Sequence, residues 1–193
     1  MRRLTLTLLA AACTALASAH AQSTTADPDA QSQKVQQAVD ERIRLERRVA
    51  AATAPIKSLA DLYAHLHDGT KGMAALEKLP ADAQRIFISS LTFNEKGLTG
   101  FNFQILEDSL RVEEAYDLLS LFGFQHTVGL MPGLRADTNT DLLVQQAVGL
   151  PPRSGDAAKP NYEYKGYDDH SEYECIRPAT GQSAGGRICT SNC

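Results

Sequence analysis

Three cysteines near the end of the chain, Cys175, Cys189 and Cys193, carry the most specific chemistry in the sequence. Thiols in an exported chain meet oxidants and pair, and an odd number leaves one over. Pairing Cys175 with Cys189 closes a 15-residue loop and pairing it with Cys193 a slightly larger one. Each closure is worth about 3 kcal/mol by the loss of unfolded-chain entropy, so entropy does not choose between them. Cys193, at the terminus, is the most accessible candidate for the leftover thiol, and such a thiol is available to join two chains in a disulfide-linked dimer. With His170 the three could also form a Cys3His zinc set, but the H-x4-C-x13-C-x3-C spacing lacks the tight C-x-x-C knuckle of most structural zinc sites. The expectation is therefore disulfide chemistry, with no metal and no cofactor.

Carboxylates and tyrosines alternate just upstream. Tyr162, Tyr164, Tyr167, Asp168, Asp169, His170 and Tyr173 form a candidate recognition surface, because tyrosine offers an apolar body with a polar tip and carboxylates grip cations or basic partners. A hydrated acidic tail accounts for the same residues more simply.

Other motifs fail on context. Gly181-Gln182-Ser183-Ala184-Gly185 matches the G-x-S-x-G elbow of hydrolases, yet no Asp, Glu or His follows it to complete a triad. Asp137-Thr138-Asn139-Thr140-Asp141 begins like a calcium loop, but Leu142 stands where glycine must turn and Val148 where a glutamate must bind. Helix capping by Thr138 or Thr140 is the better explanation. His65 and His67 point about 200° apart on a helix and cannot chelate one ion. Asp61 and His65 share a face and read as a surface pair.

The elements that would position these groups are mainly helical. Val35, Val39, Ile43 and Ala50 step through a first helix beginning near Asp29 or Ala30 and bounded by Pro55, with Arg42 to Arg48 on its polar side. Ser58 and Asp61 form an approximate capping box for a second helix carrying Leu59, Leu62 and Leu66, with Gly69 past its end. A short turn covers Lys71 to Lys78, and Pro80 opens a helix through Ala83, Ile86, Phe87 and Leu91. Residues 92–103 read as a turn-rich connection or small hairpin punctuated by Asn94, Gly97 and Gly100. Val112, Ala115, Tyr116, Leu119 and Phe122 then mark a helix stopped by Gly123, and a last helix from about Thr140 to Val148, carrying Leu142 and Leu143, ends at Gly149. All six phenylalanines lie between Phe87 and Phe124, so the core should be densest there, around Phe87, Leu119 and Phe122.

The fold expected is a small, irregular, mainly α helical bundle with a cysteine-containing, largely non-helical C-terminal tail. Its boundaries are a signal over residues 1–21, a flexible leader over 22–29, the helical domain over 30–150, a linker over 151–161 and the tail over 162–193. Arg2 and Arg3, an apolar run from Leu4 to Leu16 and the small residues Ala17-Ser18-Ala19-His20-Ala21 have the three zones of a signal cleaved after Ala21. The run is too short to span a bilayer, which needs about 20 residues. A lipid anchor on Cys13 is disfavoured because the leucine of Leu9-Ala10-Ala11-Ala12-Cys13 sits one place too early. Cleavage removes two arginines and no acids, moving the formal net charge from −4 to −6, a sign that disfavours nucleic acid and anionic membranes.

The leading expectation for function is an exported, secreted or periplasmic, non-catalytic binding or structural module for a macromolecular partner, without a stable membrane anchor. The alternative is a precursor that releases a C-terminal cystine-bearing effector peptide, and a third is a small hydrolase or metal-dependent enzyme built on His126 or His170.

Overall fold

The structure, a computed structural model, describes residues 28–66, 69–149 and 169–193. The chain divides into two compact units, Met1–Gln37 and Ala38–Cys193. In the first unit the described residues are the opening turns of helix α1 (Pro28–Thr53), whose proline occupies a first turn that needs no amide donor. Val35 there is 59% exposed, and Val39 in the second unit 45%. Val35 and Val39 of the expected apolar stripe are thus exposed, while Ala51, near the helix's C-terminal end, packs against the core.

That end is fixed by backbone contact. Gly123, at φ +79°, comes so close to α1 that a Cβ on it would lie 2.5 Å from Ala50 O. Ile56 N donates to Leu121 O at 3.0 Å, joining the same two segments again. Any side chain at Gly123 would both strain the backbone and push α1 away.

Short helices follow, most with a local cause. In α2 (Leu59–His65) the Ser58 hydroxyl accepts from Asp61 N at 3.1 Å, the expected cap, and Leu62 is fully buried. Thr70 caps α3 (Lys71–Glu77), and Pro80 precedes α4 (Ala81–Ser90), which buries Phe87. Two elements escaped the sequence pattern, α5 (Gln104–Ser109) and a 3-10 helix over Gln125–Leu130, each only six residues and too short to establish a period. Between them, α6 (Val112–Ser120) buries Val112, Ala115, Leu118 and Leu119.

The last helix, α7 (Asn139–Val148), begins in a capping box between Thr138 and Asp141 and ends at Gly149 with φ 72°. The calcium-like segment is therefore a helix start. Its inward residues differ from expectation: Leu142 and Leu143 are 52% and 67% exposed, while Asp141 and Gln145 are buried. The cause is the Asp141 carboxylate, which accepts from Glu113 N at 3.0 Å, Thr138 N at 2.9 Å and the Thr138 hydroxyl at 2.8 Å. Turning it inward turns both leucines out.

A four-stranded antiparallel sheet completes the fold, in the order β1-β2-β4-β3. Strands β1 (Thr92–Asn94) and β2 (Gly97–Asn102) are the small hairpin read between residues 92 and 103. The cysteine-bearing tail, expected to be largely non-helical, supplies two strands that the sequence had not marked, β3 (His170–Arg177) and β4 (Thr180–Cys189). Phe101 pairs with Ile188 across the central strands, so the tail's one large buried aliphatic joins the helical core. Alternation is weak in β3 and β4, which have few apolar residues and two register shifts; a period-two search does not find them.

The described fold is thus mainly α with a small antiparallel sheet. Its core contains Phe87, Phe101, Phe103, Phe122 and Phe124, all buried, as the clustering of phenylalanines implies. Phe87 and Phe101 meet edge to face at 6.3 Å, which locks α4 onto the sheet.

Candidate functional site

The arginines of α1 become functional candidates through what faces them. Arg44, Arg47 and Arg48 are spaced i, i+3 and i+4, which puts them on one helix face. Opposite stand Glu95 and Lys96 at the β1–β2 turn, with Ser191 and Asn192 from the chain end, and Lys57 lies at the side. Together they enclose a cleft of about 620 Å3 with five cationic side chains and one acidic one. A cleft of this size accommodates a small ligand or one segment of a larger one. Its charge opposes the acidic balance of the whole chain.

The walls are tied together. Asn94 Nδ2 donates to Asn192 O at 2.8 Å, and Asn192 Nδ2 donates to Lys96 O at 3.2 Å, clamping the chain end to the hairpin turn. Behind the cleft lies Asp169, whose side chain is wholly buried. Its carboxylate meets His126 Nε2 at 2.7 Å and Arg47 Nη1 at 3.7 Å, and accepts from Ser191 N at 2.8 Å. One carboxylate thereby links α1, the 3-10 helix and the strand that ends in the cleft wall. It sets the position of Arg47 while Arg44 and Arg48 face solvent.

The same carboxylate acts on Cys189. Burial, and then the negative charge of Asp169, push the Cys189 thiol above its usual range. An activated nucleophilic cysteine needs the opposite environment, one that favours the thiolate. Cys175 and Cys193 form a disulfide across 18 residues, and all three Sγ atoms lie within 4.8 Å of one another. The thiol left over is thus Cys189, not Cys193. Backbone geometry is the reason: Glu172 (φ 62°) and Gly186 (φ 71°) bend β3 and β4 together, and Glu172 Oε2 accepts from Gly186 N at 2.8 Å. The hairpin tip folds back until Ala179 N donates to Cys193 O at 2.8 Å, which delivers Cys175 to the terminus. With two sulfurs bonded to each other, only Cys189 of the Cys3His set weighed and disfavoured from the spacing retains a thiol.

Of the expected recognition residues, Tyr162, Tyr164, Tyr167 and Asp168 lie outside the described residues, as does His67. His170 and Tyr173 are exposed with rings 5.9 Å apart, whereas Asp169 is buried and works inward, contrary to a hydrated acidic surface. The G-x-S-x-G segment lies inside β4, not at a strand-to-helix turn. His65 Nδ1 meets Asp61 O, a backbone atom, at 2.8 Å, while the Asp61 carboxylate is held by Ser58 and Lys57 N. Ser58 and then the Lys57 amide keep the Asp61 carboxyl below its usual range. His126 pairs with Asp169 rather than with a nucleophile.

The cleft was not singled out from sequence, and Asp169 was read there as part of a recognition surface rather than as the buried carboxylate behind the cleft. The arginine run was visible, but its partners lie at residues 95–96, 126, 169 and 191–192, and no spacing announces such a meeting. The chain matches no known family model, no curated protein and no solved structure.

Proposed function

We propose that this chain is an exported, non-catalytic binding module whose basic cleft holds an anionic segment of a macromolecular partner. The observation that carries the reading is the convergence of Arg44, Arg47, Arg48, Lys57 and Lys96 on one cleft in a chain that is acidic overall. Guanidinium forks match carboxylate geometry, so an acidic polypeptide segment is the ligand class. Acidic charge elsewhere on the chain repels such a segment, which confines binding to the cleft. The three-zoned N-terminal sequence and the Cys175–Cys193 disulfide support export to an oxidising compartment.

Release of the C-terminal segment as an effector peptide is less consistent with these contacts. It would strip β4 from β2 and expose Phe101 and Ile188, which are fully buried.

A fluorescent oligoglutamate peptide is the probe. Binding measured by anisotropy should weaken with salt, and the pair Arg44→Glu and Lys96→Glu should weaken it about a hundredfold, since each reversal of a close charge contributes roughly a factor of ten. Equal binding by the reversed and native chains, or none by either, would sink the reading.

A further inference from the structure

The Cys189 thiol has no assigned role in binding, yet it stands beside a disulfide. Its Sγ lies within 4.8 Å of both bonded sulfurs, and it is buried while Cys175 and Cys193 are partly exposed. Thiol–disulfide exchange requires a thiol held next to a disulfide and a leaving sulfur able to move away. Both conditions meet here.

We infer that Cys189 is an internal nucleophile toward the Cys175–Cys193 disulfide, and that exchange makes Cys193 the chain's thiol modification site. The Cys189 thiol loses its proton and the sulfur attacks Cys175 Sγ. A Cys175–Cys189 bond forms as the Cys175–Cys193 bond breaks, and the electron pair of the broken bond leaves with Cys193, which takes up a proton. One disulfide and one thiol are present before and after, so no external oxidant or reductant is consumed.

The direction follows from the fold. Cys175 and Cys189 belong to the bent hairpin, and Gly181, the partner of Cys175 in register, lies where a Cβ would be 3.8 Å from Cys189 Sγ. A Cys175–Cys189 bond therefore keeps the hairpin stapled in its folded-back form. Cys193 lies beyond β4, outside any strand, and can withdraw without moving one. Attack on Cys193 instead would free Cys175 and unstaple the tip. Burial and the charge of Asp169 keep Cys189 protonated and the exchange slow, so the thiol is presented intermittently.

Iodoacetamide labelling of the folded, full chain, quenched in acid and mapped by peptide mass, tests this. The label should accumulate on Cys193 at about tenfold the level on Cys189, accompanied by a Cys175–Cys189 bridge, and the Cys189→Ser chain should lose it. In the Cys193→Ser chain, air oxidation should yield a Cys175–Cys189 disulfide; this second variant reads the geometry even where Cys189→Ser folds poorly. Native labelling confined to Cys189, label on Cys175, no native label at all, or two persistent free thiols in the Cys193→Ser chain would each overturn the assignment.

Discussion

Between Leu59 and Val148 the chain closes on Leu62, Met73, Leu76, Phe87, Leu106, Leu118 and Phe122, all within 2% of complete burial. From Asp169 to the end, Ile188 and Cys189 are the buried apolar side chains, and the rest of that region is joined by a carboxylate, a disulfide and a bent hairpin. The first region is held by area and packing, which many side chains share. A few specific bonds between named groups hold the second. Contacts spread over many side chains tolerate small changes and fail together, whereas loss of one specific group acts locally.

The largest effect should come from the packed region. Phe87→Ala removes a ring that locks α4 to the sheet and should cost about 4 kcal/mol, unfolding both regions in one transition. Two separated transitions in chemical denaturation would show that the hairpin stands without the core, and would break the contrast.

Asp169→Ala comes next, at about 3 kcal/mol, because it leaves His126, Arg47 and Ser191 N without their shared acceptor. Its signature in hydrogen exchange should be early opening of β3 and the chain end, with α4 and α6 still protected. Uniform loss of protection would place the carboxylate in the common core instead.

Acid should act mainly on the helical region, and with the smallest effect. Burial alone would raise the Glu114 carboxyl, but hydrogen bonds from Lys78, Arg111 N and the Arg111 side chain outweigh it and bring the carboxyl down from 4.5 to about 2. Asp141 is likewise held low: burial opposes, and the donors Glu113 N, Thr138 and Arg111 prevail. A lowered folded value means the contribution is complete above the unfolded value and disappears as pH falls through the folded one. Stability should thus decline between about pH 4.5 and 2, and Glu114→Gln should flatten the decline when thermal unfolding is followed across that window. An unchanged slope would remove Glu114 from the account. The solvent exposure of Lys78 limits the effect to a fraction of what a wholly buried pair would give.

Helix starts and stops were legible in the sequence wherever their cause is local. Ser58 and Asp61, Thr138 and Asp141, Gly123 and Gly149 act within four residues of the ends they set, so composition and spacing reveal them. The phenylalanine cluster likewise announced the core. The two six-residue helices did not show, since less than two turns gives no period. Nor did the inward turn of Asp141, which depends on Glu113 N and Arg111 at distant positions.

What the sequence determined by itself was where the longer helices start and stop, the location of the aromatic core and the presence of one thiol too many. Only the tertiary structure decided which cysteine is left over, that β4 lies against β2, and that Arg47, His126 and Asp169 meet behind a basic cleft. Contacts within a turn of helix are fixed by the chain's own geometry, but contacts between residues tens of positions apart are chosen among many closures of nearly equal entropy. The choice falls to whichever closure buries the apolar surface and pairs most of the buried polar groups.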